Sequence, residues 1–439
     1  MVGTHGIGFK GVGLSVALAA SLLAATSAQA TDGYFANGVG ARHKALAGAG
    51  VADGRDATSA SINPAGILRA GNELDISASF FDPEREFTGS GAPGFTPTGT
   101  VESDRNFFLI PNIARNWKTV GNPYFDALTL SMSGNGGMNT TYKGIANPAC
   151  GPGNGVFCGG KSGVDLTQLL ISMAMAKSFG NVSVGLAPTV AAQLFAAKGL
   201  GAFAGASAFP ASLTNNTHEV VFGAGLRGGI EWAVLPNVRL GAAGSTKIYS
   251  QKFDDYKGLF AEQGDFDIPA NVQAGIAVDL SPALTIMADY KRIWFSDVQS
   301  VGNPSTNILL GIPFGANNGP GFGWDDLNIF KVGLEYRATS DLTLRAGYSH
   351  NNQPIKSRDV MLNILAPAVS QNHITGGFMY RMSPNMDLEF AAMYSPREHV
   401  VGGELPGFGN PAHIIDISMA QYEATIGIKY RFDSPAPLK

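Results

Sequence analysis

Charge is scarce in this chain. Asp, Glu, Lys and Arg make up 15% of the 439 residues, against roughly 25% in an ordinary soluble domain. The 30 Lys and Arg do not outnumber the 34 Asp and Glu, so the electrostatic footprint of a nucleic-acid binder is missing. Cysteine is scarcer still: Cys150 and Cys158 stand alone in "CGPGNGVFC". No His or acidic cluster accompanies them to complete a metal site, and a short disulfide clamp formed in an oxidising compartment is the expected state. Long apolar runs are also lacking: beyond residue 30 no stretch of about 18 apolar residues occurs, which argues against a helical membrane span. "GAGVADG" has the wrong spacing and no preceding strand for a nucleotide loop. His43, His218, His373, His399 and His413 show no paired ligand spacing. Ser349 and His350, adjacent on a strand, point to opposite faces and cannot act together. Neither a catalytic site nor a metal or cofactor is expected.

What the chain does have is glycine, with 57 copies, and clean alternation. Residues 1–30 read as a secretory signal, with Lys10, an apolar run from Val12 to Ala25 and a small-residue cleavage site at Ala28-Gln29-Ala30. The mature chain is therefore expected to begin at Thr31. At the other end Tyr422, Ala424, Ile426, Ile428, Tyr430 and Phe432 share one strand face while Glu423, Thr425, Lys429 and Arg431 share the other. The same split recurs at 342–349 and 387–394, and short turns such as "SFGN", "LSPA" and "MSPN" separate consecutive strands.

Fourteen strands can be laid out, at 72–88, 104–118, 124–142, 166–180, 181–195, 218–234, 237–253, 266–280, 283–298, 325–338, 341–353, 370–382, 385–399 and 420–432. They are about twice the length usual in a soluble sandwich and carry aromatics near their ends. The pattern predicts an all-β fold, a 14-stranded antiparallel transmembrane β-barrel with short periplasmic turns and long outer loops. Two loops are too greasy for free solvation: 196–213, with Leu200, Phe203, Phe209 and Leu213, and 307–324, with Leu309, Leu310, Ile312, Phe314 and Phe322. Either they cap one another over the barrel mouth or they receive an apolar ligand.

The segment "GVGARHKALAGAGVADGRDATSASINPAGI" resembles the N-terminal region of the FadL family of outer-membrane transporters for long-chain fatty acids and aromatic hydrocarbons. "SGNGGMNTTY", "NNGPGFGWDD" and "LTLRAGYSHNNQPI" are similar to members of the same family, so the likeness runs through the mature chain. It implies that residues 31–71 form a hatch inside a barrel of residues 72–432. Asn63, Pro64 and Ala65 match the family's hatch motif. Small residues suit a plug that must leave room in a lumen, and Pro64 fixes a turn without offering a donor. Gly134, Asn135, Gly136 and Gly137 lie in the third strand, where glycine marks a bulge or bend; the family's third strand kinks inward and opens a lateral exit, with an ordinary bulge as the alternative.

The function so implied is passive outer-membrane uptake of hydrophobic compounds, long-chain fatty acids first. Aromatic hydrocarbons or alkanes are the alternative cargo, and a structural or adhesive barrel is the further one. Leu200, Phe203, Phe209, Leu309, Ile312, Phe314 and Phe322 are the expected entry-loop contacts. The expected partners are hydrophobic small-molecule cargo, outer-membrane lipid and the barrel assembly machinery of a Gram-negative bacterium, with no nucleic acid and a monomeric state. "DSPAPLK", residues 433–439, follows the terminal aromatic Phe432 and reads as a periplasmic tail.

Overall fold

The computed structural model describes residues 31–119 and 121–433; the expected signal segment and nearly all of the expected tail lie outside them. Fourteen long strands form the wall: β1 (Glu73–Gly91), β2 (Phe108–Lys118), β3 (Ala127–Asn139), β4 (Gly163–Phe179), β5 (Val182–Lys198), β6 (Glu219–Leu235), β7 (Val238–Ser245), β8 (Asn271–Ser281), β9 (Leu284–Ile293), β10 (Leu327–Arg337), β11 (Leu342–Asn351), β12 (Asn372–Ser383), β13 (Met386–Gly403) and β14 (His413–Arg431). Each pairs antiparallel with the next, and β1 pairs with β14 from Glu73↔Arg431 to Gly91↔His413. The sheet therefore closes on itself, which removes the free edges that would otherwise invite aggregation.

Alternation decides which way each strand faces. On β14, Tyr422, Ile426, Ile428 and Tyr430 are exposed while Glu423, Thr425 and Lys429 are buried inside. In water this would be inverted; it is the order a lipid-facing wall with a polar interior requires. Two short ladders, Gly99–Glu102 on β1 and Tyr249–Ser250 on β6, extend the outer rim.

Of the strand limits expected from sequence, β8 starts at Asn271 rather than 266 and β9 ends at Ile293 rather than 298, and two larger corrections are needed. The β13–β14 ladder continues outward to Gly403↔Ile414, so the expected loop 400–419 shrinks to 404–412. The ladder passes a register shift between Ser395 and Glu398. Beyond it the His399–Asp416 pair, at 3.0 Å, lies on the outward face while Val400, Ile415 and Ile417 are buried, because above the bilayer the outward face need not be oily. β7 is shorter than expected: it ends at Ser245, and the chain rejoins β6 at Gly223↔Ser250.

Residues 31–71 fill the lumen and are almost wholly buried. They contain a short helix α1 (Gly40–Ala45) and two 3₁₀ turns, Ala57–Ser61 and Pro64–Leu68. Small apolar contacts hold this segment to the wall, Leu46, Ala49 and Ala52 with Ala277 and Met287 and Ile67 with Ala174 and Ala187, and ion pairs add to them. Arg42 reaches Asp53 and Glu335 at 2.9 Å each; Arg345 joins Glu335 to Glu389 at 2.9 and 3.1 Å; Lys429 joins Glu389 to Asp56 at 3.4 and 3.8 Å. Asp32 lies between Lys291 and Lys331 at 3.1 and 3.0 Å. Charges buried this deeply persist only when paired.

Candidate functional site

Three features meet in the outer half of the barrel, and the first is a break in its wall. The β2–β3 ladder runs from Lys118↔Ala127 to Asn112↔Ser133 and stops there, although β2 continues to Phe108. β3 stays with β4 through a register shift between Gly134 and Gly136. Beyond Ser133 the third strand thus leaves β2 and bends into the lumen, as glycines without side chains to pack allow. The expected kink residues Gly134, Asn135, Gly136 and Gly137 form this bend, and all four are buried.

The bend is met from inside by the start of the plug. The Ala36 N–H donates to the Asn135 carbonyl at 2.6 Å, and Phe35 forms an antiparallel bridge with Gly136. Gly136 has φ +153° and a Cβ there would overlap the Tyr34 carbonyl oxygen, so this contact requires glycine. Asn135 also donates to Gln168, which donates to Gln193, at 2.8 Å each. Arg85 of β1 spans the break, donating to the carbonyls of Asn139 and Arg105, with its guanidinium 5.4 Å from the Phe108 ring centre. An apolar patch of Phe81, Phe108, Ile110 and Met393 lies beside it.

The second feature is an apolar cleft under the outer loops, lined by Leu200, Phe203, Phe314 and Phe322 together with Phe195, Phe260 and Leu362. No charged residue lines it. Backbone bonds fix its rim, with Phe314 N–H to Ala206 O and Ala208 N–H to Phe314 O at 2.9 Å each. Its free volume is about 40 Å³, well under the ~150 Å³ of an apolar cavity that holds a benzene ring, so loop movement must accompany entry of a ring.

The third feature joins the other two. Aromatic rings run from the cleft to the break: Phe195 to Phe260 at 4.6 Å, Phe260 to Phe266 at 4.7 Å, Phe266 to Tyr34 at 5.9 Å and Tyr34 to Phe35 at 5.5 Å. Phe295 and Trp324 flank Tyr34 at 5.0 and 5.8 Å. These spacings are ordinary aromatic contacts, and the series ends on the residue bridged to Gly136.

Of the expected entry residues, Leu200, Phe203, Phe314 and Phe322 come together at the cleft. Phe209, Leu309 and Ile312 do not line it; Leu309 is 48% exposed and Phe209 37%. Asn63, Pro64 and Ala65 sit against β5 and β6: the Asn63 side-chain amide donates to Val51 O at 2.7 Å and to Ile230 O at 3.0 Å, and its oxygen accepts from Ala65 N–H at 3.0 Å. Gly185 and Gly229 make room for them on the wall. This motif anchors the plug, whereas Tyr34–Ala36 touches the break. Sequence reasoning did not single out Tyr34 and Phe35, although two adjacent aromatics in a Gly/Ala-rich segment were a visible signal.

Cys150 and Cys158 are disulfide-bonded with Cα atoms 5.0 Å apart, pinching the loop between β3 and β4. In the loop between β7 and β8, Asp265 has its carboxyl pushed up to about 6 by burial and by the nearby charges of Asp267 and Glu262. Among the described residues no group of His, Cys, Asp and Glu is placed to hold a metal ion, and no helix is long and apolar enough to cross a membrane.

A family model described as outer membrane protein transport protein (OMPP1/FadL/TodX) matches residues 16–404. The fold is similar to the crystal structure of the Pseudomonas putida toluene transporter TodX, at 16% identity and TM-score 0.65, covering 90% of this chain and 99% of that one. A Pseudomonas aeruginosa FadL homologue gives 16% identity and TM-score 0.66, with 91% and 100% covered. The Ralstonia pickettii toluene transporter TbuX gives 17% and 0.61, with 90% and 99% covered. No curated protein matches the chain in sequence.

Proposed function

The chain belongs to the OMPP1/FadL/TodX family of outer membrane transport proteins, and from that premise we propose that it carries uncharged apolar compounds passively into the bilayer through the break between β2 and β3. Cargo is captured in the outer cleft, passes along the aromatic series to Phe35, displaces Tyr34–Ala36 from Gly136 and leaves sideways. The observation that carries this reading is the continuity of the aromatic series with the plug residue bridged to the kink.

Physical chemistry favours the sideways route over the straight one. Toward the periplasm the plug and wall present Arg42, Asp53, Glu335, Arg345, Glu389 and Lys429 in one buried ion network. An apolar molecule crossing it would separate paired charges, whereas burial against apolar surface contributes about 25 cal/mol per Å². No energy source is needed where a downstream process consumes the cargo.

The cleft's uncharged lining supports a neutral hydrocarbon ahead of a fatty carboxylate, and the toluene transporters among the similar folds point the same way. The fatty acid reading rests on a different observation. Arg227 donates to the carbonyls of Ser61 and Ile62 and has no carboxylate partner among the described residues, in a polar chamber it shares with Lys291. Lys331 and Arg345 are already paired with acids, so they are poor carboxylate receptors.

The deciding experiment is uptake of labelled toluene and labelled oleate by cells lacking their own hydrophobic transporter, with this chain expressed. Toluene uptake well above background with oleate at background is expected. Oleate preference would reverse the cargo assignment and bring Arg227 forward; uptake of neither would sink the transport reading.

A further inference from the structure

A third cavity lies on the outside of the wall, beside the break. It is formed where Asp104 and Arg105 lead into β2, Thr140 and Thr141 leave β3, Lys161 to Asp165 open β4, Lys198 closes β5 and His218 precedes β6. Its free volume is about 370 Å³, far roomier than the apolar cleft. Alternation fixes which side it faces. Asp165 shares its parity on β4 with the exposed Ile171 and Met173; Lys198 shares its parity on β5 with Leu186 and Val190; His218 shares its parity with Val220 and Phe222 just after it. The cavity therefore opens outward at the rim, above a wall whose exposed aliphatic residues begin at Ile171 and Val190, beyond the buried Thr167, Leu169, Ala192 and Ala196 of the same parity.

Its charges are organised around one acid. Asp165 accepts from Arg105 at 2.9 Å, from His218 at 3.1 Å and from the Asn139 side-chain amide at 2.7 Å. Asp104 is offset by Lys143 at 2.8 Å. Lys161 and Lys198 have no carboxylate partner among the described residues. Arg105, Lys143, Lys161 and Lys198 against Asp104 and Asp165 leave an excess of two positive charges, before any charge on His218. An exposed lysine pair held at a rim above an apolar strip is complementary to one kind of molecule: an amphiphile with an anionic head and acyl chains.

We propose that this cavity seats a phosphate group of an outer-leaflet lipid, with the lysines as point charges and Arg105 as the oriented donor. The lipid's chains lie along Ile171, Met173, Val190 and Val220. The site is independent of which cargo the lumen carries. It shares two groups with the break: the Arg105 carbonyl that receives Arg85, and Asp165, which receives Asn139 at the end of β3. A seated headgroup consequently steadies both lips of the opening.

The test uses the purified full-length barrel and native mass spectrometry of retained lipid. The probes are a bis-phosphorylated acylated disaccharide glycolipid and its dephosphorylated counterpart, offered at equal concentration to the wild type and to Lys161→Gln/Lys198→Gln. The expected result is retention of the phosphorylated lipid by the wild type and a loss on the order of tenfold in the double variant. The dephosphorylated lipid is expected to be held weakly and equally by both. Heat-resistant migration of the variant confirms that its barrel is folded. Equal retention of the two lipids, or an unchanged variant, overturns the site. Displacement of the lipid by inorganic phosphate at matching concentration overturns the lipid assignment in favour of a free-anion site.

Discussion

Gly136 is the residue on which the plug and the wall depend together. Its backbone holds φ +153° and its missing side chain admits the Tyr34 carbonyl. Gly136→Leu puts a branched side chain where Tyr34–Ala36 and the passing cargo must lie. Uptake should fall at least roughly tenfold, while heat-modifiable migration of the barrel stays as in the wild type, because β3 keeps its ladder to β4 on both sides of the register shift. Normal uptake by this variant would remove the kink from the route. Asn63 acts differently, through three hydrogen bonds that fasten the plug to β6 and cap the turn after it. Asn63→Ala leaves buried carbonyls without donors, a cost of about 1–3 kcal/mol. The plug should loosen, and single-channel recordings in a planar bilayer should show a leak that the wild type lacks. Asn63-Pro64-Ala65 was singled out in the sequence, as a gate, through its resemblance to the family's hatch motif, and its hydrogen bonds fasten it in place. Tyr34 and Phe35 were not, because their partner Gly136 lies about a hundred positions away and only the closed barrel brings the two together.

At the scale of elements, periodicity carried most of the information. Alternation and turns predicted fourteen staves correctly, since a lipid face and a lumen face impose opposite chemistry on neighbouring residues. The same logic failed above the bilayer, where β13 and β14 run on with Val400, Ile415, Ile417 and Met419 buried and polar His399 and Asp416 on the outward face. It also could not place the break, since glycines announce a bulge but not the loss of a neighbouring strand. The loops obey yet another rule. Asp265, in the loop that also supplies Phe260 and Phe266 to the aromatic series, has its carboxyl raised to about 6 from an ordinary 3.8. A carboxyl raised in the folded loop binds its proton more tightly there than in the open one, so the loop is most stable when protonated. Its stability falls as pH rises from about 4 through about 6 and is level above that. Amide exchange across 254–268, referenced to intrinsic rates, should therefore speed up over that interval in the wild type. Asp265→Asn should flatten the dependence; an unchanged slope in the variant would place the titrating group elsewhere, with Asp267, also raised by burial, the next to test.

As a whole, the molecule is two bodies held by different forces, and that division has a measurable consequence. Apart from the break between β2 and β3, the wall is a hydrogen-bonded ladder closed from β1 to β14, and its strand-to-strand bonds are made without the plug. The plug has little regular structure and is held to the wall by small apolar contacts and by buried ion pairs, among them Arg42, which is bonded to Asp53 within the plug and to Glu335 on the wall. Arg42→Met removes one cation from that network and leaves Asp53 to Arg55 and Arg239, and Glu335 to Arg55 and Arg345. Breaking a buried pair from one side costs about 3–5 kcal/mol, and here the loss falls on docking of the plug. Two results should appear together: a raised leak of small ions through the lumen, and a barrel that still migrates as a folded, heat-resistant species. Loss of the folded barrel in Arg42→Met would mean that plug and wall form one cooperative unit, and displacement of the plug by cargo would then be too costly to serve as the gate. A variant with both an intact barrel and an unaltered leak would show that the remaining cations suffice, and the anchoring role would pass to Asn63 and the backbone contacts around it.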